Sequence, residues 1–342
     1  MGMDTLRTFR TLGLAGLLLL APTLAACGES GSSGTQTKPK ATATSSGEGG
    51  EVHACEAVPG EELVVLEDDK QLQTVDNIIP AVNAEAATDP LIEALNQVSA
   101  ALTTEKLIAL NKQTDIERKT SPNVAKEFIE AEGLGEGLSG GSGEIVIGAF
   151  NFSESQTLAH LYAEVARAAG FDPKVKTVGN REVVEPALEK GQLDVVPEYV
   201  GTLTEFINKA ENGADAEPLA SGDLDATVEE LSTLGEQVGL VFGEPSPAAD
   251  QNAFAVTKAF ADEHGVATLS ELAEACGSGL VLGGPPECPD RPFCQPGLEE
   301  TYGLAFDSFS SLDAGGPLTK TALQQGKITL GLVFSSDAAL SG

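Results

Sequence analysis

Residues 144–202 read EIVIGAFNFSESQTLAHLYAEVARAAGFDPKVKTVGNREVVEPALEKGQLDVVPEYVGT, and they alternate between two kinds of hydrophobic pattern. Short apolar runs rich in β-branched residues are typical of buried strands. Longer segments with apolar residues three and four positions apart predict helices, and each is followed by a glycine that can end it. The predicted order is strand, helix, strand, helix, strand, with strands near 145–147, 175–178 and 193–196 and helices near 153–169 and 181–190.

Two consecutive strand–helix–strand units predict a parallel sheet, because each helix carries the chain back to the edge where the next strand begins. Ligands of such sheets bind outside the carboxyl ends of the strands. Here those ends are residues 151–156 and 197–202. Ser153 and Gln156 have the spacing of a capping box, so the first segment is also expected to start a helix. The sequence therefore predicts an α/β protein whose binding site is formed by these two segments.

The composition limits the possible functions. The chain has 342 residues, enough for two lobes of ordinary size, and a formal net charge of −32. This charge makes nucleic acid a poor partner and would attract a cationic ligand, although an acidic surface can also simply keep an exported protein soluble. The chain has three His and contains no P-loop or His-Glu-x-x-His motif, which argues against an enzyme. We expect no catalysis, no metal and no cofactor.

The N-terminus has the pattern of a secretory signal. Two arginines precede the apolar run 12–20, and LAAC follows, ending at Cys27. LAAC resembles a bacterial lipobox, so residues 1–26 are predicted to be removed and Cys27 to be lipidated. A transmembrane anchor is the alternative, but the apolar run is shorter than the ~20 residues that a spanning helix needs. The expected location is the outer face of the cell membrane, with residues 27–60 as the lipidated Cys and a disordered tether.

Four further cysteines, an even number, are compatible with disulfides outside the cell. They allow three pairings. Cys288–Cys294 would close a small loop and is our first choice, which leaves Cys55–Cys276. The pairing Cys276–Cys288 stays open. The segment CPDRPFC has neither the spacing nor a neighbouring His that a zinc site needs.

Several segments resemble one family of transport proteins. IGAFNFSES, followed about forty residues later by GQLDVVPEYVGT, is similar to the substrate-binding proteins of ABC importers for glycine betaine, choline and carnitine. LVVLEDDK, ALTTEKLIALNKQTD and SPNVAKEFIEAEGL resemble the C-terminal part of the same proteins. The resemblance implies a two-lobed, type II periplasmic-binding-protein-like fold, with parallel-rich sheets flanked by helices and a ligand cleft between the lobes.

The order of these segments differs from that of the family, because the C-terminal ones come first here. A circular permutation explains the order: the original ends would be joined through the Gly-rich linker 133–143, and new ends opened after Phe334–Asp337. The alternative is a partial duplication with a truncated copy, but no segment is present twice. Such rearrangements succeed where the original termini lie close together at the surface.

The permutation implies the following domain bounds. Lobe one is predicted to span residues 61–249 and lobe two residues 250–342. One crossover between the lobes is expected near 248–256, and the new ends would cut the other between Asp337 and Leu63.

The resemblance also implies a binding site. A quaternary ammonium ion cannot donate hydrogen bonds and is held by the faces of aromatic rings. Tyr199 and Phe334 fall on cage positions of the family, whereas Asn252, and Asp76 or its neighbour Asn77, fall where family members have an aromatic residue. The cage therefore looks weak, and a larger, hydrogen-bonding ligand stays possible. The other site residues that the resemblance implies are Asn151, Ser155, Gln156, Thr202 and Asp250 as polar contacts, and Arg291 for a ligand carboxylate.

The residues also allow structural interpretations. Tyr199 and Phe334 could be core residues, and Asp250 and Arg291 could form an ion pair or lie in solvent. We predict a monomeric extracytoplasmic lipoprotein that delivers a small cationic or zwitterionic osmoprotectant, such as glycine betaine, choline or a related quaternary amine, to the membrane permease of an ABC importer. The alternative is a sensing or scaffold lipoprotein that kept the fold but does not serve transport.

Overall fold

The structure is a computed structural model that describes residues 53–340. The predicted signal peptide and Cys27 lie outside the described residues. The strands are β1 (His53–Ala54), β2 (Leu63–Leu66), β3 (Ile78–Asn83), β4 (Glu144–Phe150), β5 (Asp172–Gly179), β6 (Val195–Tyr199), β7 (Leu240–Phe242), β8 (Asn252–Thr257), β9 (Cys276–Ser278), β10 (Leu280–Gly284), β11 (Phe306–Ser311) and β12 (Leu330–Phe334).

The helices are α1 (Asp89–Ala101), α2 (Thr104–Asn111), α3 (Ser121–Glu132), α4 (Ser153–Ala169), α5 (Arg181–Glu189), α6 (Val200–Asn212), α7 (Leu224–Val238), α8 (Lys258–His264), α9 (Leu269–Ala275), α10 (Gln295–Gly297) and α11 (Pro317–Gln324). Helices α2 and α10 each continue into a π-helical turn, Lys112–Ile116 and Leu298–Tyr302. The predicted helices of residues 144–202 are present, the first with the predicted bounds.

Two five-stranded sheets with the same arrangement organise the protein. Lobe one, residues 78–242, has the strand order β5-β4-β6-β3-β7. Strand β4 is parallel to β5 and β6, and β3 is antiparallel to β6 and β7. Lobe two, residues 53–66 and 252–340, contains the order β11-β10-β12-β8-β2, again with two parallel pairings followed by two antiparallel ones. The predicted α/β class with helix-flanked sheets is confirmed.

Each lobe has a hydrophobic core between its sheet and its helices. In lobe one, Leu91 and Leu95 of α1 and Leu158 of α4 pack against the sheet. In lobe two, Phe260 of α8 and Leu272 of α9 do the same. All five side chains are almost completely buried, and full burial of a side chain of this size contributes about 1.5–3 kcal/mol to folding.

Two continuous connections join the lobes, residues 67–77 and 243–251. They run side by side, because the Asp250 N–H donates to the Asp76 carbonyl at 3.0 Å and the Ile78 N–H to the Ala248 carbonyl at 3.0 Å. The segment after β12 joins them through a hydrogen bond from the Ser335 N–H to the Gln251 carbonyl at 2.9 Å. The prediction that one crossover is cut between Asp337 and Leu63 is wrong, since the second crossover is 67–77.

The predicted start of lobe one at residue 61 is also wrong. Strand β2 pairs antiparallel with β8 and so belongs to the sheet of lobe two. Residues 53–60, which were predicted to belong to the tether, are folded as well. Strand β1 is parallel to β9, and the Gly60 N–H donates to the Gln324 carbonyl at 3.1 Å, so residues 53–60 are folded onto lobe two.

Both preferred disulfides are present, Cys55–Cys276 and Cys288–Cys294. The first ties the start of the described chain to the end of α9. The second closes the loop after β10, which faces lobe one.

The Gly-rich linker 133–143 follows the surface of lobe one from α3 to β4. Gly133 ends α3 with a φ of 65°, a left-handed conformation that glycine adopts without strain. The Gly141 N–H donates to the Ala169 carbonyl at 2.9 Å, and a side chain on Gly141 would overlap the Phe171 ring. Between residues 53 and 340, no helix combines the length and the apolar character needed to cross a bilayer.

Candidate functional site

A cavity of about 450 Å³ lies between the two lobes. Strands β4 and β6 of lobe one and β12 of lobe two all end at its wall, so the carboxyl ends of strands from both sheets face it. This is where parallel strands are expected to present a ligand site. Its wall includes six aromatic side chains: Phe150, Phe152, Tyr199, Phe206, Phe293 and Phe334.

Four of these rings form one cluster centred on Phe152. The centroid of its ring is 5.8 Å from that of Phe150, 6.4 Å from that of Tyr199 and 5.6 Å from that of Phe334. Phe334 ends β12, whereas the other three belong to lobe one. Closely spaced aromatic faces can hold a cation, and a cation held by these rings would contact both lobes at once.

The turn between β4 and α4 sets the direction of these rings. Phe152, in an extended conformation, is the residue before the first turn of α4. The hydroxyl of Ser155 accepts a hydrogen bond from the Phe150 N–H at 2.9 Å and is fully buried behind the turn. Neither Ser155 nor Gln156 lines the cavity, so both were wrongly predicted to face it. The capping box is also absent, since α4 begins at Ser153 without a side-chain cap.

Tyr199 is fixed by a buried polar network. Its hydroxyl donates to Glu154 Oε1 at 2.7 Å. Glu154 Oε2 accepts from Asn111 Nδ2 and from the Ser336 hydroxyl, both at 2.6 Å. Burial, together with the neighbouring Glu154, raises the pKa of Tyr199 well above its ordinary value, so the phenol stays neutral. Tyr199 therefore presents a ring held at both its backbone and its hydroxyl.

Asp250 belongs to the crossover between the lobes and lines the cavity. Its carboxyl accepts from the Ser336 N–H at 2.9 Å and the Ser335 hydroxyl at 3.4 Å, whereas the ion pairs of Arg291 are with Glu182 and Glu287. Burial raises the pKa of Asp250 well above its ordinary range, and the nearby Glu154 adds to this effect. A positively charged ligand in the cavity would oppose this rise in the pKa of Asp250, because a nearby positive charge favours the ionised carboxylate.

Asp76 belongs to the other crossover, where it contacts Thr202 of α6. The Thr202 N–H donates to Asp76 Oδ1 at 2.9 Å, and the Thr202 hydroxyl donates to Asp76 Oδ2. Gly201 permits this approach, because a side chain there would collide with the Val75 carbonyl. Burial raises the pKa of Asp76 from 3.8 to about 6, and the two bonds from Thr202 act against the rise.

Asn77, the predicted alternative to Asp76, does not line the cavity. Its side-chain amide donates to the Ser246 carbonyl at 2.8 Å and so links the two crossovers. Side chains of neighbouring residues in an extended segment point in opposite directions, which places Asp76 at the cavity and Asn77 away from it.

A buried ion pair supports one wall of the cavity. Arg181, the first residue of α5, donates from Nε and Nη2 to Glu198 of β6, with a shortest distance of 2.8 Å. The guanidinium carbon lies 5.1 Å from the centroid of the Phe150 ring, so the same group stacks against the ring cluster. Burial lowers the pKa of Arg181, but the charge of Glu198 and its hydrogen bonds outweigh this effect, and the net shift is upward.

The disulfide-closed loop of lobe two forms the facing wall. Asn252 Nδ2 donates to the Phe293 carbonyl at 3.1 Å, so this asparagine holds the loop that carries an aromatic side chain into the cavity. Arg291 extends from the same loop to Glu182 of α5, with Nη2–Oε1 at 2.9 Å and Nη2–Oε2 at 3.0 Å. Arg291 therefore forms its ion pair with Glu182, across the lobes, and not with Asp250.

Among residues 53–340, the metal-ligating side chains that come close enough to share an ion are Cys55, Cys276 and His264. Cys55 and Cys276 are joined in a disulfide, so their sulfurs are not thiolate ligands. This grouping lies in lobe two and belongs to the core behind the sheet.

A family model described as the substrate binding domain of ABC-type glycine betaine transport systems matches residues 57–131 and 143–342. The chain belongs to this family. The resemblance drawn from IGAFNFSES, GQLDVVPEYVGT and the preceding segments is thereby confirmed, and the family is one of transport binding proteins.

Two curated relatives are described as glycine betaine-binding proteins. The glycine-betaine-binding protein of Pseudomonas aeruginosa is 30% identical over 204 residues, covering 57% of this chain and 62% of that protein. Glycine betaine-binding protein YehZ of Escherichia coli is 28% identical over 200 residues, covering 55% of this chain and 63% of its own. The chain thus spans slightly less than two thirds of these relatives. A solved structure of a glycine betaine/carnitine/choline ABC transporter is 21% identical, with a TM-score of 0.37, covering 57% of this chain and 70% of that one.

Of the site residues expected in a member of this family, those that line the cavity come from both lobes and from both crossovers. Their contact with a ligand remains a prediction. They are Asp76, Asn151, Tyr199, Thr202, Asp250, Asn252, Arg291 and Phe334.

The cavity wall is richer in aromatic rings than the sequence suggested. Phe152 was visible in the segment IGAFNFSES, at the predicted carboxyl end of a strand, and this signal could have identified it. Phe206 and Phe293 gave no such signal, because a helix and a disulfide-closed loop bring them to the cavity. Arg181 and Glu182 were also missed, since both could have been ordinary polar residues at the start of α5.

Proposed function

We propose that this protein binds a quaternary ammonium compound of the glycine betaine and choline class between its lobes and presents it to an ABC permease. The observation that supports this most directly is the four-ring cluster of Phe150, Phe152, Tyr199 and Phe334 at the cavity wall. A quaternary ammonium group has no hydrogen to donate, so stacked ring faces are the groups suited to hold it.

The charges around the cavity favour a cation. Six carboxyl side chains line it against three basic ones, and the two arginines among these are already paired with glutamates. The cavity is therefore negative overall, and a permanent positive charge would be attracted to it. The carboxyl groups are those of Asp76, Glu182, Glu205, Asp250, Glu287 and Asp290.

Delivery to a permease requires the ligand to favour one arrangement of the lobes. A ligand does this only when it interacts differently with the two arrangements. In this protein the cage would be completed by Phe334 from lobe two, so a bound ammonium group would be held best when the lobes are together. The closed face would then be the one that a permease recognises.

Titration of the purified protein with choline tests this proposal, with the neutral alcohol in which carbon replaces the ammonium nitrogen as a second ligand. Each ring face contributes about 0.5–2 kcal/mol to binding a cation, so Phe152→Leu should weaken choline binding about 2- to 30-fold. Binding of the neutral alcohol should hardly change, because leucine keeps the apolar contact.

Phe128→Leu is the matched control, since Phe128 packs on the core of lobe one outside the cavity. This variant should bind choline as the parent protein does. If the parent protein binds no quaternary ammonium compound, or if Phe152→Leu weakens both ligands equally, the proposal is wrong.

We also propose that the protein is held at the outer face of the membrane by a lipid on Cys27. The support is the LAAC sequence after a basic and apolar N-terminal segment. A lipid anchor would keep the binding protein close to a permease.

The order of segments supports a circular permutation as its origin. The family model matches two stretches that flank residues 132–142, almost the whole of the Gly-rich linker. The linker joins α3 to β4 along the surface of lobe one, where both elements are already neighbours of α4. A join at this position would leave both sheets with their strands unchanged.

A further inference from the structure

The cavity contains one ion pair that joins the two lobes within residues 53–340, between Arg291 and Glu182. Arg291 is the residue to which a carboxylate-binding role was expected. Its Nε lies 3.2 Å from Glu182 Oε1, and its Nη2 lies 2.9 and 3.0 Å from the two oxygens of the same carboxylate. This is the fork geometry with which an arginine grips a carboxylate ligand.

A second carboxylate lies near the same nitrogen of the guanidinium. Glu287 Oε1 lies 3.5 Å from Nη2 of Arg291, one helical turn back along the loop. One positive charge thus faces two negative ones. A carboxylate arriving at the Nε and Nη2 side of Arg291 would have to displace Glu182 and would be repelled by Glu287.

The other basic residues of the cavity wall are Arg181 and Lys209. Arg181 directs both Nε and Nη2 to Glu198. Lys209 also lines the cavity and lies two turns of α6, about 10 Å along the axis, beyond Thr202. A small zwitterion whose ammonium group lay at the ring cluster would therefore meet two arginines that already hold glutamates, and Lys209 would be the remaining basic residue of the cavity wall.

Resting on the proposed function, we propose that Glu182 is a specificity-determining residue: by occupying the fork of Arg291, it makes the site select quaternary ammonium alcohols over zwitterions. Glu182 acts as a carboxylate built into the protein. A choline-like cation needs only the rings and the acidic wall, whereas glycine betaine brings a second carboxylate to a guanidinium that already holds one.

The test measures the dissociation constants of choline and glycine betaine for the full chain and for Glu182→Gln. The ratio of the two constants is the readout, because any effect of the variant on lobe closure acts on both ligands and cancels. The parent protein should bind choline more tightly. Freeing the fork should shift the ratio about tenfold towards glycine betaine, as expected for a charged hydrogen-bonded pair that is partly exposed to solvent.

Glu287→Gln is the matched control. It removes the same charge near Arg291 but leaves the bidentate pair intact, so it should shift the ratio much less. Glu182→Ala should agree with Glu182→Gln, and the double variant Glu182→Gln with Arg291→Met should lose the gain in glycine betaine affinity.

The outcomes separate the two proposals. If the parent protein binds neither compound, the proposed function is wrong and this inference falls with it. If it binds both equally, or if Glu182→Gln and Glu287→Gln shift the ratio alike, the function stands and Glu182 does not determine specificity.

Discussion

The raised pKa of Asp76 predicts that binding of a cation is linked to loss of a proton. Burial holds the pKa of this carboxyl at about 6, and the group lines the cavity beside the ring cluster. The charged neighbours Arg181 and Glu198 shift this pKa in opposite directions and are paired with each other. A cationic ligand favours the ionised form of Asp76, so it should bind more weakly when that form is scarce.

The magnitude follows from the pKa. At pH 7 about nine tenths of the Asp76 carboxyls would be ionised, and at pH 5 about one tenth, which predicts choline binding about tenfold weaker at pH 5. At pH 5.5, binding should release about three quarters of a proton per ligand. Calorimetric titration in two buffers of different ionisation enthalpy measures this release directly.

The same shift has a consequence for stability, with the sign set by the direction of the pKa. An exposed aspartate has its pKa near 3.8, so the folded protein binds the proton more tightly than the unfolded chain. The contribution of Asp76 to stability should therefore rise as the pH falls from 7 towards 4, by at most about 3 kcal/mol. Denaturant unfolding of the parent protein and Asp76→Asn, compared at several pH values, measures it.

Three variants test whether Asp76 causes the pH dependence of choline binding. Asp76→Asn should remove the pH dependence of choline binding between pH 5 and 7, and Asp250→Asn should keep it. Thr202→Val should move the midpoint to higher pH, because the bonds from Thr202 lower the pKa of Asp76. Equal affinity at pH 5 and pH 7 would refute the argument, and pH dependence that survives in Asp76→Asn would assign it to another group.

Two further predictions concern the order and anchoring of the chain. In a rearranged chain, residues 53–132 would follow residues 144–340 through a short flexible join. This chain should fold and bind choline with an affinity within about threefold of the parent, as expected if the segments were permuted at surface positions. An unfolded product in calorimetry would contradict the permutation. In a bacterial host, the parent protein should sediment with the membrane fraction and Cys27→Ser should be released with its choline affinity unchanged, whereas a parent protein that is itself soluble would contradict the lipid anchor.

The spacing of hydrophobic residues predicted many of the helices and strands of lobe one. The apolar residues of α4 recur every three to four positions up to Gly170, and this pattern predicted the helix and its C-terminal end. The turn after β6 was likewise expected at the cavity, since Tyr199 follows a buried apolar run. Both features depend on interactions between residues close together in the chain.

The sequence did not predict to which sheet strand β2 belongs. Its sequence predicts a strand, but nothing local distinguishes a partner in lobe one from β8 in lobe two. The same applies to Arg291: the residue type suggested a carboxylate partner, and only the approach of α5 from the other lobe identified that partner as Glu182.

The sequence by itself determined the α/β class, the helices and strands of residues 144–202 and the family to which the chain belongs, because these follow from spacing and motifs within short segments. Tertiary structure decided which rings form the cluster, which carboxyls are buried with raised pKa values, and which glutamate holds Arg291. Phe152 and Phe334, or Glu182 and Arg291, meet only after two sheets have formed and the crossovers have set the lobes facing each other. Contacts between residues so distant in sequence depend on the packing of whole elements, which local patterns do not encode.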